Sequence, residues 1–194
     1  MKGKDKVLAL ARFDGKIFHT GDLANIWMIR NKNTLYTTIR RYVKKGVLHR
    51  IYKGYYSLLP PEKIDGRLIG MKALHRYGYV SLETVLFDEG YISRPPAYIS
   101  FISSKSIRFR IGKYSFRSRK MKEQHLYNDC GIKKTDGILT ANPERAIADM
   151  LYYSPLYNFD KTPDWEKIKE MQKAVGYPLT RKRYDLTAAG RRNP

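Results

Sequence analysis

The chain has 194 residues, 42% of them hydrophobic, which is enough for a packed core in one large or two small domains. Lys and Arg number 38 against 18 Asp and Glu, a net charge of +20, and self-repulsion of that size calls for a polyanionic partner. The single cysteine, Cys130, excludes an internal disulfide framework, and no apolar run reaches the length of roughly 18 residues that a membrane span needs.

Half of the excess charge lies in the first third of the chain, where residues 1–60 carry 13 Lys/Arg against 3 Asp/Glu. The opening stretch MKGKDKVLALARF is too short in apolar residues for a secretory signal, so the expected compartment is the cytoplasm. Asp5 is placed to cap a first helix bearing Val7, Leu8, Leu10 and Ala11, with a break at Asp14-Gly15. Thr20 is the expected cap of a second helix, whose apolar face is Leu23, Ala24, Ile26 and Trp27.

Asn33 is the expected cap of a third helix over 34–45. At about 100° per residue, Leu35, Ile39, Tyr42 and Val43 fall on one side. Asn33, Tyr36, Thr37, Arg40, Arg41 and Lys44 fall on the other, with no acid anywhere from Asn33 to Lys45. A merely solvated helix face is the commoner meaning of such a pattern, but solvated faces usually mix charge signs. Guanidinium, amide and hydroxyl groups on one face are what a major-groove helix needs, since Arg pairs with guanine, Asn with adenine, and Thr or Tyr with phosphate or the thymine methyl. Gly46 ends the helix, and residues 47–58 read as a hairpin turning at Tyr52-Lys53-Gly54. Three helices followed by a basic hairpin make a winged helix-turn-helix. The expected DNA contacts are Asn33, Thr34, Tyr36, Thr37, Arg40, Arg41 and Lys44 on the helix, with Arg50 and Lys53 on the wing.

Pro60-Pro61 closes that unit. Two short helices are expected next, Arg67 to Tyr77 and one capped by Ser81. The period then changes to two: Tyr98 to Ile102, Ile107 to Ile111 and Tyr114 to Arg117 read as strands, the last two joined by Gly112-Lys113. One sheet face is then apolar and the other basic, carrying Arg108, Arg110, Lys113 and Arg117. That face is either an edge kept soluble by cations or a second surface for a polyanion. Asn142-Pro143-Glu144 is a helix start, followed by the stripe Ala146, Ile147, Met150 and Leu151. A last helix begins at Thr162-Pro163 and ends at Gly176-Tyr177-Pro178, and Thr180 onward reads as a basic tail.

The expected architecture is therefore α+β. Residues 1–60 form a winged helix-turn-helix DNA-binding domain, 66–178 a small α/β domain with an antiparallel sheet flanked by helices, and 179–194 a basic flexible tail. The four histidines, His19, His49, His75 and His125, have no metal-ligand spacing, and there is no phosphate loop or nucleophile elbow, so no metal, cofactor or catalytic residue is expected. The main enzymatic alternative is a winged helix fused to a divergent nuclease. Its usual acid-x-Lys element occurs only at Asp14-Gly15-Lys16, inside the first domain.

Gly46-x-Leu48-x-Arg50-x-x-x-Gly54-x-Tyr56 resembles the wing of the AbiEi-type antitoxins of type IV toxin–antitoxin systems. Tyr79-Val80-Ser81-Leu82-Glu83 resembles the opening helix of that family's second domain, and the basic β stretch to Phe116 and the helix Pro143-Glu144-Arg145-Ala146-Ile147-Ala148-Asp149 resemble its middle and end. The likeness covers roughly residues 5–155. It implies a repressor that binds inverted repeats in double-stranded operator DNA, and a partner gene for a nucleotidyltransferase toxin neutralised through the second domain. No membrane partner is expected, because there is no long apolar run and no amphipathic basic helix apart from the globular pattern. A plain DNA-binding regulator without an antitoxin role is the other non-enzymatic alternative.

Overall fold

The apolar residues of the first sixty positions collect into one small core, in which Leu10, Phe18, Leu23, Trp27, Leu35, Ile39, Tyr42, Leu48 and Tyr56 are buried together. The computed structural model describes residues 3–13 and 17–180. The break expected at Asp14-Gly15, the Asp14-Gly15-Lys16 triplet and residues 181–194 of the expected tail lie outside the described residues. The first core is built by α1 (Gly3–Ala11), β1 (Phe18–His19), α2 (Thr20–Ile26), α3 (Lys32–Lys44), β2 (His49–Tyr52) and β3 (Tyr55–Ser57). The three strands form an antiparallel sheet in the order β1-β3-β2. Trp27 locks α1 to α2, its indole N–H donating to the Lys6 carbonyl at 3.1 Å. Leu8, by contrast, is exposed.

Several helix starts differ from expectation, beginning with Asp5, which lies inside the first turn of α1 and does not cap it. The cap of α2 is His19, not Thr20: His19 holds the extended backbone that a cap needs, its Nδ1 accepts from Gly21 N, and Asp22 accepts from its own N–H. Thr20 is the first helical residue, and its hydroxyl donates instead to the Gly54 carbonyl. The cap of α3 is Asn31, not Asn33, because Asn31 is the last extended residue and its Oδ1 accepts from Thr34 N at 3.0 Å. The helix thus begins two residues early, and Asn33 falls in its exposed first turn.

Beyond a 3-10 turn (Pro61–Lys63) come α4 (Gly66–Ala73), β4 (Gly78–Val80), α5 (Glu83–Asp88), β5 (Ile99–Ser103), β6 (Ile107–Ile111), β7 (Tyr114–Lys120), α6 (Glu123–Leu126), β8 (Ile132–Thr135), β9 (Ile138–Ala141), α7 (Pro143–Tyr153) and α8 (Trp165–Val175). The chain divides into two compact units, Met1–Ala73 with Ile111–Lys113, and Leu74–Arg110 with Tyr114–Pro194. The second contains a six-stranded sheet in the order β6-β7-β5-β4-β9-β8.

That sheet is mixed, not antiparallel as expected, since β5 with β7 and β4 with β9 are parallel. The reason lies in burial. The strand β6 alternates exposed arginines with apolar residues of which only Ile111 is buried, a pattern suited to an edge, whereas β7 buries Phe116 and Ser118 and takes an interior place beside β5. Strands two apart in sequence thereby become parallel neighbours. The helix expected to run from Arg67 to Tyr77 stops at Ala73, because Gly78–Val80 is needed as the central strand β4. Ser81 does not cap α5. That position falls to Leu82, which has a positive φ of 58° and no side-chain cap bond, while the Ser81 hydroxyl turns inward to Asp149. Asn142 caps α7 as its sequence implies, accepting from Arg145 N at 2.8 Å, and Gly176 ends α8 in the left-handed conformation.

Candidate nucleic-acid interface

The helix α3 owes its orientation to Leu35, Ile39 and Tyr42, which are 5%, 3% and 6% exposed and lie on one side at helical spacing. Thr38 completes the inner side, its hydroxyl donating to the Thr34 carbonyl at 2.7 Å. Everything opposite is turned out: Asn33, Thr34, Tyr36, Thr37, Arg40, Arg41 and Lys44 are all exposed. Thr34 spends its hydroxyl proton on Asn31 at 3.3 Å, and the Arg41 guanidinium lies 5.8 Å from the Tyr42 ring centre. Asn33, Tyr36, Thr37, Arg40 and Lys44 make no side-chain hydrogen bond or ion pair among the described residues. A row of cations and amides without an internal partner is unusual on a helix that could have paired them with acids.

The hairpin stands beside this helix in the same unit. Its turn is Lys53-Gly54, and Gly54 supplies the positive φ of 74° that a tight hairpin turn demands. The Gly54 carbonyl accepts from both Thr20 N, at 2.8 Å, and Thr20 Oγ1, at 3.0 Å, so the turn is tied to the first residue of α2. Tyr55 packs its ring 5.1 Å from that of His19, and burial followed by the nearby Asp22 pushes its hydroxyl pKa up. Arg50 and Lys53 are exposed, so all nine residues singled out from the sequence are solvent-facing in one unit.

The second basic set is arranged differently. Arg108 and Arg110 alternate along β6 and are exposed, Lys113 is exposed in the turn, and Arg117 on β7 is half-buried. Phe109 stacks on Phe116 at 4.8 Å, which puts Arg108, Arg110 and Arg117 on the opposite sheet face. Arg108 already rests its guanidinium 5.8 Å from the ring centre of Tyr98. Further along that face Arg119 donates to Glu83 Oε1 at 2.8 Å, and Ser100 donates to the same carboxylate at 2.9 Å.

The sequence reading missed the most deeply placed charges. Arg145 and Asp149, one helical turn apart on α7, are both wholly buried and joined at 2.9 Å. Arg145 uses all of its N–H groups: Nε donates to Asp149, one terminal nitrogen to the Asn128 and Cys130 carbonyls, and the other to Tyr79 Oη and the His125 carbonyl. Asp149 accepts also from Tyr177 at 2.5 Å and Ser81 at 2.7 Å. Burial alone would lower the Arg145 pKa, but the facing carboxylate raises it, so the guanidinium stays charged. Burial, then Asp149, pushes the Tyr177 hydroxyl far up, which keeps it a donor. Gly131 is required beside this cluster: with φ at 75°, an added Cβ would come within 2.8 Å of both Arg145 Cβ and Asn142 Oδ1. The i, i+4 spacing of opposite charges amid alanine and isoleucine was the available signal. For the missed hairpin β8–β9 it was Asp136-Gly137, whose two positive φ values make the two-residue turn.

Among the described residues no group of three or more His, Cys, Asp or Glu is placed to hold a metal, and no helix is long and apolar enough to cross a membrane. His19 is a helix cap and His125 is buried, with Nδ1 3.0 Å from the Val175 carbonyl oxygen. No protein-family model and no curated protein matches the chain.

Proposed function

We propose that the chain is a cytoplasmic, non-enzymatic DNA-binding repressor, with its first unit acting as a winged helix-turn-helix. The observation that carries this reading is the outward face of α3, which is cationic and polar and free of acids, and on which Asn33, Tyr36, Thr37, Arg40 and Lys44 make no side-chain hydrogen bond or ion pair among the described residues. The order α1-β1-α2-α3-β2-β3 suits such a module, with α3 lying in the major groove and the hairpin bearing Arg50 and Lys53 reaching the backbone beside it. If six to ten phosphates are neutralised, log K falls against log[salt] with a slope of roughly −5 to −9. The test is a gel-shift titration of the full chain on duplex DNA. Full-strength binding by the Arg40→Ala/Arg41→Ala/Lys44→Ala triple variant would refute the proposal.

The resemblance to AbiEi-type antitoxins supports a further role, as the antitoxin of a type IV operon whose toxin is a nucleotidyltransferase. On that reading the second unit neutralises the toxin, and the basic set of Arg108, Arg110 and Arg117, with Lys113 in the turn that joins their strands, meets either an acidic toxin surface or the toxin's nucleic-acid substrate. Co-expression of the toxin from an adjacent gene with a quadruple charge-to-Ser variant, shown folded and still able to bind operator DNA, tests it. Rescue equal to that by the unaltered chain would remove this face from the mechanism.

A further inference from the structure

The outward face of α3 is not a uniform basic patch, because its residues separate by angle. The buried residues Leu35, Thr38, Ile39 and Tyr42 define the inward direction. At ~100° per residue, Asn33, Thr37, Arg40 and Lys44 lie within roughly 30° of the opposite, outward direction. Tyr36 and Arg41 lie about 70° to either side of that line. For a helix along the groove floor, the central row meets base edges and the two flanks meet opposite sugar–phosphate walls.

The chemistry of the row then sets what it reads. The Asn33 amide has a donor and an acceptor with no partner among the described residues, the pairing that adenine N7 and N6 satisfy. Thr37 offers a methyl group to the thymine methyl, and Arg40 offers a fork to guanine O6 and N7. No carboxylate stands on the helix, so it lacks the acceptor that usually pairs with the cytosine amino group. At ~1.5 Å rise per residue, Asn33 and Arg40 are about 10 Å apart along the axis, or about three base steps of 3.4 Å. Lys44 stands a further turn on, where a straight helix leaves the curved groove for the backbone.

On the reading of α3 as the groove helix, we infer that Asn33 and Arg40 read an adenine and a guanine about three base pairs apart, with a thymine contacted by Thr37 between them. Tyr36 and Arg41 grip phosphates and carry no sequence information.

The test selects duplexes from a randomised library with the full chain and repeats the selection with three variants. The expected motif for the unaltered chain contains adenine and guanine at that separation. Arg40→Ala abolishes the guanine preference, a discrimination of about 5- to 150-fold, and Arg40→Gln turns it to adenine. Arg41→Ala keeps the motif, weakens all duplexes alike and makes the salt slope shallower by about one. These side chains hold no hydrogen bond or ion pair among the described residues, so circular dichroism of each variant should match that of the unaltered chain. A selected motif whose guanine survives Arg40→Ala, or is lost with Arg41→Ala, overturns the inference while leaving DNA binding intact. Failure to retain any duplex overturns the DNA-binding reading and this inference with it.

Discussion

The two units handle positive charge in opposite ways. On α3 the cations stand exposed on a face with no acid, and Arg40 and Lys44 make no side-chain hydrogen bond or ion pair among the described residues. In the second unit Arg145 is wholly buried and every N–H it owns is spent within the chain. Arg119 lies between these extremes, tied to Glu83 and laid 5.3 Å from the Tyr153 ring centre. A net charge of +20 therefore does not describe one function. Some of it stands exposed on a face without acids, and some fastens irregular backbone to a helix and a sheet.

The largest effect expected of any single change lies at the buried end of this comparison. Arg145→Met leaves Asp149 as an uncompensated buried charge and frees the carbonyls of His125, Asn128 and Cys130, so urea denaturation should show a loss of about 3–5 kcal/mol. Adding Asp149→Leu should recover part of that loss, since an apolar pair tolerates burial better than half an ion pair does. A loss below about 1 kcal/mol for the single variant would break the distinction between the units.

Arg40→Ala sharpens it from the other side. Its binding cost should be ~1–3 kcal/mol in gel-shift titration, while its unfolding midpoint moves by no more than a surface substitution does, within about 0.5 kcal/mol. An equal loss in both measurements would mean that the α3 row is structural after all.

Arg119→Gln should be intermediate in stability, costing about 1 kcal/mol, because the pair with Glu83 is partly screened with side chains 21% and 22% exposed. Thermal unfolding at low and high salt measures it, and the gap between variant and unaltered chain should narrow as salt rises.

The smallest effect concerns the turn that sets α2 against α3. Met28 is 86% exposed and holds a positive φ of 53°, a conformation that glycine adopts without strain. Met28→Gly should raise stability by about 0.5–1 kcal/mol, a gain in strain relief partly offset by the looser unfolded chain. A thermal shift downward would show that the methionine side chain makes a contribution that its exposure conceals.

Short-range features were legible in the sequence. The outward face of α3, the Asn142-Pro143 helix start, the alternation of Ile107 to Ile111 and the stop at Gly176 all rest on contacts within a turn or two of chain, which period and capping chemistry record directly. The nine residues chosen for the interface needed only that local information to be placed on the surface. Choosing between adjacent cap candidates was already harder. Asn31 and Asn33 are equivalent in type, and only the backbone entering the helix distinguishes them.

What the tertiary structure decided was long-range. Gly78–Val80 is three residues long and carries no readable period, yet it is the strand between β5 and β9, because its neighbours bury it on both sides. The parallel pairing of β5 with β7 follows from which strand can stand at a charged edge, a comparison that no single strand contains. The Arg145 network joins groups 66 residues apart at Tyr79 and 28 apart at Tyr177 through Asp149. An arginine on an isolated helix belongs in water, and it goes inside only when the rest of the chain brings an acceptor to every one of its donors.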